Sequence, residues 1–186
     1  MKKLLLLSFI TSLFIFASCD KTETFDDTRM LDNEAAFAKI TADAAYKKIE
    51  SKTKIGHIMY KVLEEGPESD VSPLFNDRVK VIYTGWYKQL WIKDGEFRED
   101  EFTGDDGNVF KNKVIFDSTA DRNDEPSVFA VNGVVDGFST ALQHMHVGDK
   151  WEVWIPWRLG YGASGNTGIP AFSTLVFEIE LVEIVG

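Results

Sequence analysis

The sequence predicts an α+β fold, because some segments have the two-residue period of β-strands and others have the three- to four-residue period of α-helices. The clearest strand covers residues 174–185, in which every second side chain from Leu175 to Leu181 is apolar. Those apolar positions are Leu175, Phe177, Ile179 and Leu181. Residues 150–156 predict a strand before a glycine-rich loop, and residues 33–51 have a helical pattern. The chain should therefore combine a sheet with few helices.

Length and composition limit the classes of protein to be considered. A chain of 186 residues with 44% hydrophobic residues can bury one good core, so we expect one domain with an extension. A net charge of −10 argues against nucleic-acid binding, which needs clustered Lys and Arg. Cys19 is the single cysteine, which excludes an intrachain disulfide. The three histidines lack the spacing of a zinc site, and we expect no metal.

The N-terminal residues 1–18 have the pattern of a secretory signal, with Lys2 and Lys3, an apolar run, and small residues before Cys19. The ending Phe-Ala-Ser-Cys resembles a bacterial lipobox, which implies cleavage before Cys19 and lipidation of that residue. The protein would then be lipid-anchored to a bacterial membrane in the cell envelope, in the outer membrane and facing the periplasm or the surface. An ordinary signal peptide with a coincidental cysteine is the alternative.

Two segments separate this signal from the domain. Residues 19–32 are polar and acidic, and we predict a flexible tether. Residues 33–53 are predicted as a helical extension of about four to five turns, begun by Asp32 or Asn33. The helix would pack against its own domain or mediate dimerisation, so the sequence leaves open whether the protein is a monomer or a dimer.

The next elements are strands. Residues 54–63 predict a first strand, and residues 78–87 predict a second in which alternate side chains share one face. Residues 86–113 hold six aromatic residues among acidic ones, with turn signals that predict a hairpin or a longer flap. These aromatic residues would either pack on the domain as a satellite cluster or form a surface for a client or a glycan.

A short helix is predicted after Asp136, which would cap it, with Phe138, Leu142 and Met145 on one face. Three segments around this helix, in the same order, resemble the FKBP-type peptidyl-prolyl isomerases of the bacterial lipoprotein branch. They are VKVIYTG at 79–85, VIFDSTADRNDEP at 114–126, and residues 129–185 with VVDGF and YGASG.

The resemblance implies a twisted antiparallel β-sheet wrapped around one short α-helix, with an N-terminal helix extension before it. The isomerase domain would cover residues 54–186. Relatives commonly connect the first two of these segments through about ten residues, as is usual in compact domains. Residues 86–113 would therefore be an aromatic and acidic insertion.

The resemblance also implies which residues wall a pocket for a proline ring. They are Tyr83, Phe116, Asp117, Val134, Val135, Phe138, Tyr161, Ile169 and Phe177. Phe138 would form the floor of the pocket, where the family more often has Trp.

Polar groups at the rim would orient the substrate. Asp117 would be held by Tyr83 or by Arg122. The hydroxyl of Tyr161 and the backbone N–H of Val135 or Ile169 would donate to substrate carbonyls.

The implied function is cis-trans isomerisation of X-Pro bonds in exported proteins, assisting their folding without a cofactor or a metal. Partners would be proline-containing polypeptide clients, with macrolide inhibitors as further ligands, and no nucleic acid. A non-catalytic client-binding or chaperone lipoprotein of the same fold is the alternative, favoured by Phe138, Ser127 and Phe172. A weaker third hypothesis is a glycan-binding lipoprotein that uses Trp86 and Trp91.

Overall fold

The computed structural model describes residues 25–67, 71–93 and 96–185. Two α-helices lie within these ranges, α1 (Phe25–Ala42) and α2 (Asp136–Leu142). The strands in chain order are β1 (Lys47–Glu50), β2 (His57–Glu64), β3 (Arg78–Lys88), β4 (Ile92–Lys93), β5 (Glu96–Phe97), β6 (Glu101–Thr103), β7 (Val109–Lys111), β8 (Lys113–Ser118), β9 (Ser127–Ala130), β10 (Lys150–Ile155) and β11 (Leu175–Ile184). This arrangement confirms the predicted α+β class.

Seven of these strands form one antiparallel sheet in the order β1-β2-β10-β11-β3-β8, and β9 pairs with the other end of β3. Strand β11 lies between β10 and β3, so that Ile179 is opposite both Trp151 and Tyr83. The remaining strands form two hairpins, β4–β5 and β6–β7, inside residues 86–113. A hairpin-containing insertion in this segment agrees with the turn signals of the sequence.

The front face of the sheet packs against α2 and forms the main core. Alternate residues of β11 point to this face and are buried, as the strand period requires. From α2, Phe138 and Leu142 join the same cluster. Gly137 lets the helix approach β10 closely, because a Cβ atom at this position would overlap the side chain of Ile155.

The back face of the sheet carries a second cluster that α1 and the insertion cover together. Its buried members are Ala36, Ile40, Met59, Trp86, Trp91, Trp154 and Val176. Trp86 is 8% exposed and Trp91 1%, and the indole N–H of Trp91 donates to Asn33 Oδ1 at 2.7 Å. The satellite-cluster interpretation is therefore confirmed for Trp86 and Trp91, whereas Phe97 and Phe110 are exposed. A glycan site built on these two tryptophans is wrong, because their rings are inside the protein.

The predicted helix boundaries are wrong. We predicted a tether over 19–32 and a helix over 33–53, whereas α1 covers Phe25–Ala42 and residues 47–50 form β1. Tertiary contacts decide the difference. Arg29, inside the predicted tether, is buried against the domain, and Asn33 lies in the helix interior, donating to the Arg29 carbonyl at 2.8 Å. β1 pairs with β2, so the sheet begins before residue 54.

Two further expectations concern helix ends and the membrane. Asp136 does not cap α2, since its carboxylate accepts from the Thr53 hydroxyl at 2.5 Å and the N-cap residue is Val135. The predicted signal of residues 1–18, Cys19 and the start of the tether lie outside the described residues. Within the described part of the chain, neither helix has the length and apolar character needed to cross a membrane.

Candidate active site

A pocket of about 260 Å³ opens at the front face, between the sheet and the start of α2. Its lining comes from strands β3, β8, β9 and β11, from the segment entering α2, and from the loop after β10. The lining residues are Tyr83, Phe116, Asp117, Phe129, Gly133, Val134, Val135, Phe138, Tyr161 and Phe177. The structure therefore brings together eight of the nine predicted wall residues.

Aromatic rings that meet edge to face form most of the pocket. Phe138 at the floor contacts Phe177 with ring centroids 5.0 Å apart and planes at 79°. Phe116 meets Phe177 in the same way, at 5.5 Å and 85°. Such T-shaped pairs are favourable for aromatic rings and fix their orientations. The result is a preformed apolar space suited to a small saturated ring.

Gly85 of β3 is required beneath these rings. A Cβ atom at residue 85 would lie 2.5 Å from Cε1 of Phe177 and 2.7 Å from Cζ of Phe116. Any side chain here would push both rings into the pocket, so the glycine permits the close approach of the rings to the strand.

One side of the rim carries a hydrogen-bonded group of three polar side chains. The Tyr83 hydroxyl donates to one carboxylate oxygen of Asp117, and Arg122 Nη1 donates to the other at 3.1 Å. Arg122 Nη2 also donates to the hydroxyl of Ser127 at 3.3 Å. The two alternatives proposed for holding Asp117 are thus both present.

These contacts shift the ionisation of Tyr83 and Arg122. Burial, followed by the hydrogen bond to Asp117, raises the pKa of Tyr83 to about 12. The hydrogen bonds to Asp117 and Tyr83 raise the pKa of Arg122 above its usual value. Tyr83 therefore stays a hydrogen-bond donor and Arg122 a cation at neutral pH. The group fixes the geometry of the rim.

Tyr161 and Ile169 lie on one loop and have different positions. Tyr161 lines the pocket. Ile169 is buried in the core cluster, outside the set of pocket-lining residues. Its backbone N–H donates to the carbonyl of Asn166 at 2.9 Å, which leaves the backbone N–H of Val135 as the predicted donor to a substrate.

Sequence reasoning missed two lining residues, Phe129 and Gly133. Phe129 meets Tyr83 edge to face at 5.6 Å, which follows from the pairing of β9 with β3. No local pattern indicates that pairing. Phe172, interpreted above as a sign of a degraded pocket, instead meets Trp157 at 5.0 Å and does not line the pocket.

The fold and the pocket define a class of protein: a twisted antiparallel sheet around one short helix, with a pocket lined by aromatic side chains between the sheet and the helix. Comparisons with known proteins identify the family. Residues 70–182 match the sequence profile of the FKBP-type peptidyl-prolyl cis-trans isomerases. The chain belongs to this family, which confirms the predicted family, and its place in the lipoprotein branch stays a prediction.

Individual relatives agree with the family match. The chain is 38% identical over 147 residues to the FKBP-type 22 kDa peptidyl-prolyl cis-trans isomerase of Escherichia coli, covering 78% of this chain and 58% of that protein. It is 32% identical over 163 residues to FkpA of Aeromonas hydrophila, covering 88% and 51%. The chain thus spans between about half and three fifths of these relatives' length.

A solved structure supports the fold. The peptidyl-prolyl cis-trans isomerase of Pseudomonas syringae superposes with a TM-score of 0.61 at 28% identity, covering 88% of this chain and 98% of that one.

Proposed function

We propose that this protein catalyses cis-trans isomerisation of X-Pro bonds in polypeptides. The observation that carries the proposal is the aromatic pocket, in which Phe138, Phe116 and Phe177 enclose a space for a proline ring. Family membership and the match over residues 70–182 give independent support.

The reaction needs no acid, base or nucleophile. Rotation about an X-Pro bond is opposed by a barrier of roughly 18–20 kcal/mol, because rotation breaks the amide resonance. A planar amide separates more charge than a twisted one, so removing water from the bond favours the transition state over the ground state. Seating the proline ring on Phe138 places the neighbouring amide in such an apolar setting.

Hydrogen-bond donors at the pocket would position the substrate backbone. The hydroxyl of Tyr161 and the backbone N–H of Val135, which precedes α2, are the groups we assign to substrate carbonyls. Asp117 would orient the rim through Tyr83 and Arg122 and would not transfer a proton.

The clients would be exported polypeptides, and the protein would act in the cell envelope. The signal pattern of residues 1–18 and the lipobox-like sequence before Cys19 support lipid anchoring. Metabolic labelling with a fatty acid tests it. Label should enter the native chain and be lost in Cys19→Ser, whereas label that persists in Cys19→Ser would contradict lipidation of that residue.

The activity is tested by NMR exchange on an Ala-Leu-Pro-Phe peptide with the full-length chain in detergent. Tyr161→Ala and Phe116→Ala should each reduce the catalysed exchange at least about tenfold, the effect of roughly 1.4 kcal/mol of lost transition-state stabilisation. Ile115→Ala is the matched control, because Ile115 is adjacent to Phe116 but exposed, so its exchange should remain native. A macrolide that fills the pocket should inhibit the native chain. Exchange no faster than that of the free peptide would refute the proposal.

A client-binding protein without catalysis is the second candidate. It is favoured by Phe138, which is smaller than the Trp that the family more often has at the floor, and by the exposed apolar side chains of Val109 and Phe110 on the insertion. In that case the chain would bind proline peptides and leave their exchange rate unchanged.

A further inference from the structure

A second cavity lies between the insertion and the loop that carries Tyr161. We call it the insertion cleft, and its volume is about 500 Å³. Its lining residues are Arg29, Tyr87, Gln89, Leu90, Phe102, Phe110 and Pro170. Most of them belong to residues 86–113, the predicted insertion.

The insertion cleft and the proline pocket share two structural elements. Strand β3 gives Tyr83 to the pocket and Tyr87 to the cleft, and both side chains belong to the front-face core cluster. The loop after β10 gives Tyr161 to the pocket and Pro170 to the cleft. Gly85 lies between the two tyrosines on β3, and the rings of Phe116 and Phe177 pack against it.

The spacing along β3 sets the distance between the two sites. Tyr83 and Tyr87 are separated by 87 − 83 = 4 residues of strand β3. At a rise of about 3.3 Å per residue, this separation is about 13 Å. An extended peptide has the same rise, so a client with its proline in the pocket would place a side chain about four residues away at the cleft.

The walls of the cleft favour an apolar or aromatic occupant. Phe102 and Phe110 stack with ring centroids 5.5 Å apart, and Phe110 is 44% exposed, which leaves its ring available for contact. Tyr87 is only 6% exposed. Among the described lining residues there is no carboxylate, although the chain as a whole carries a net charge of −10.

Arg29 holds the cleft in a preformed state. Its guanidinium group lies 5.6 Å from the centroid of the Tyr87 ring. It donates to the carbonyl of Gln89, in the insertion, and to the carbonyl of Ala171, in the Tyr161 loop, both at 3.0 Å. These bonds tie the two walls together, and sites that bind small groups tightly are usually preformed in this way.

We propose that the insertion cleft is a substrate subsite, which binds an aromatic or large aliphatic side chain of a client polypeptide about four residues from the isomerised proline. The proposal rests on the proposed function, because the proline in the pocket defines the distance. The subsite would make the protein selective among proline-containing clients.

The test compares three fluorescent nonapeptides with a central proline, in titrations with the full-length chain in detergent. One has Phe four residues before the proline, one has Phe four residues after it, and one has Ser at both positions. We expect one Phe peptide to bind about tenfold more tightly than the Ser peptide, the effect of partly burying one large apolar side chain. Phe110→Ala and Phe102→Ala should each abolish most of this difference.

Val109→Ala is the matched control. Val109 is in the same strand as Phe110 and is 67% exposed, but it does not line the cleft, so this variant should keep the native preference. Equal affinities for the three peptides, or a preference retained in Phe110→Ala and Phe102→Ala together, would overturn the subsite. A dimer lost in Phe110→Ala with unchanged peptide affinities would also overturn it, since a second copy would then occupy the cleft.

Exchange of the Ala-Leu-Pro-Phe peptide is measured on the same samples and separates the two proposals. This peptide is too short to reach the cleft, so its exchange should be native in Phe110→Ala. A failure of catalysis with a retained Phe preference would refute the isomerase and leave the subsite.

Discussion

Replacing Tyr83 by Phe removes the hydroxyl that donates to Asp117 and leaves the aromatic ring in place. A hydrogen bond to a charged group contributes roughly 1.5–3 kcal/mol. The Asp117 side chain is 44% exposed, so water can replace the lost donor. The loss of unfolding free energy should therefore lie at the low end of this range. We expect Tyr83→Phe to lower the free energy of unfolding by about 1–2 kcal/mol at pH 7.

The raised pKa of Tyr83 makes this contribution depend on pH. The pKa is about 12 in the folded protein against 10.0 for an unperturbed tyrosine. Between these values the unfolded chain releases the proton first, so the stabilisation is complete below pH 10 and is lost as the pH rises to about 12. Two pKa units correspond to about 2.7 kcal/mol, which is an upper limit because solvent reaches Asp117.

Urea unfolding followed by tryptophan fluorescence measures the effect at intervals from pH 8 to about pH 12. The difference in unfolding free energy between the native chain and Tyr83→Phe should be constant up to about pH 10. It should then decrease as the pH rises to about 12. Tyr60→Phe, which removes a hydroxyl from a ring stacked on Trp151, is the control. A difference that stays the same from pH 8 to about pH 12 would refute the raised pKa of Tyr83.

Two other predictions concern how α1 and the insertion are held to the sheet. Arg29→Met should lower the unfolding free energy by about 2 kcal/mol, because the partly buried carbonyls of Gln89 and Ala171 lose a charged donor, and should speed amide hydrogen exchange over residues 160–174. Arg158→Met removes an exposed ion pair and should cost less than about 1 kcal/mol, so an equal cost for both would contradict the first prediction. Trp91→Ala should cost about 3–5 kcal/mol in urea unfolding, whereas Phe110→Ala, on the exposed hairpin, should cost about 1 kcal/mol or less. Similar costs for these two variants would mean that Trp91 is not a core residue.

The strands and the pocket were predictable because their signals are local. Strands β3, β10 and β11 lie within about two residues of their predicted ends, since side-chain alternation along a strand records which face is buried. Tyr83, Phe116 and Tyr161 were found through short motifs that resemble those of the family. The roles of these residues in catalysis remain predictions.

The N-terminal helix could not be located in the same way. Its apolar stripe is narrow, and buried polar groups set its position: Asn33 accepts from Trp91 in the insertion and from the backbone N–H of Thr174 at 2.7 Å. In the sequence alone, Asn33 predicts a helix start, because Asn is a preferred N-cap residue and is uncommon inside helices.

The sequence by itself therefore determined the fold class, the main strands and most of the pocket, because alternation and family motifs are properties of neighbouring residues. Only the tertiary structure decided the extent of α1, the burial of Trp86 and Trp91 and the place of Ile169. It also placed Phe129 beside Tyr83 and assembled the insertion cleft. These features depend on contacts between segments far apart in the chain, such as Arg29 with Ala171, and no local pattern encodes which distant surfaces meet.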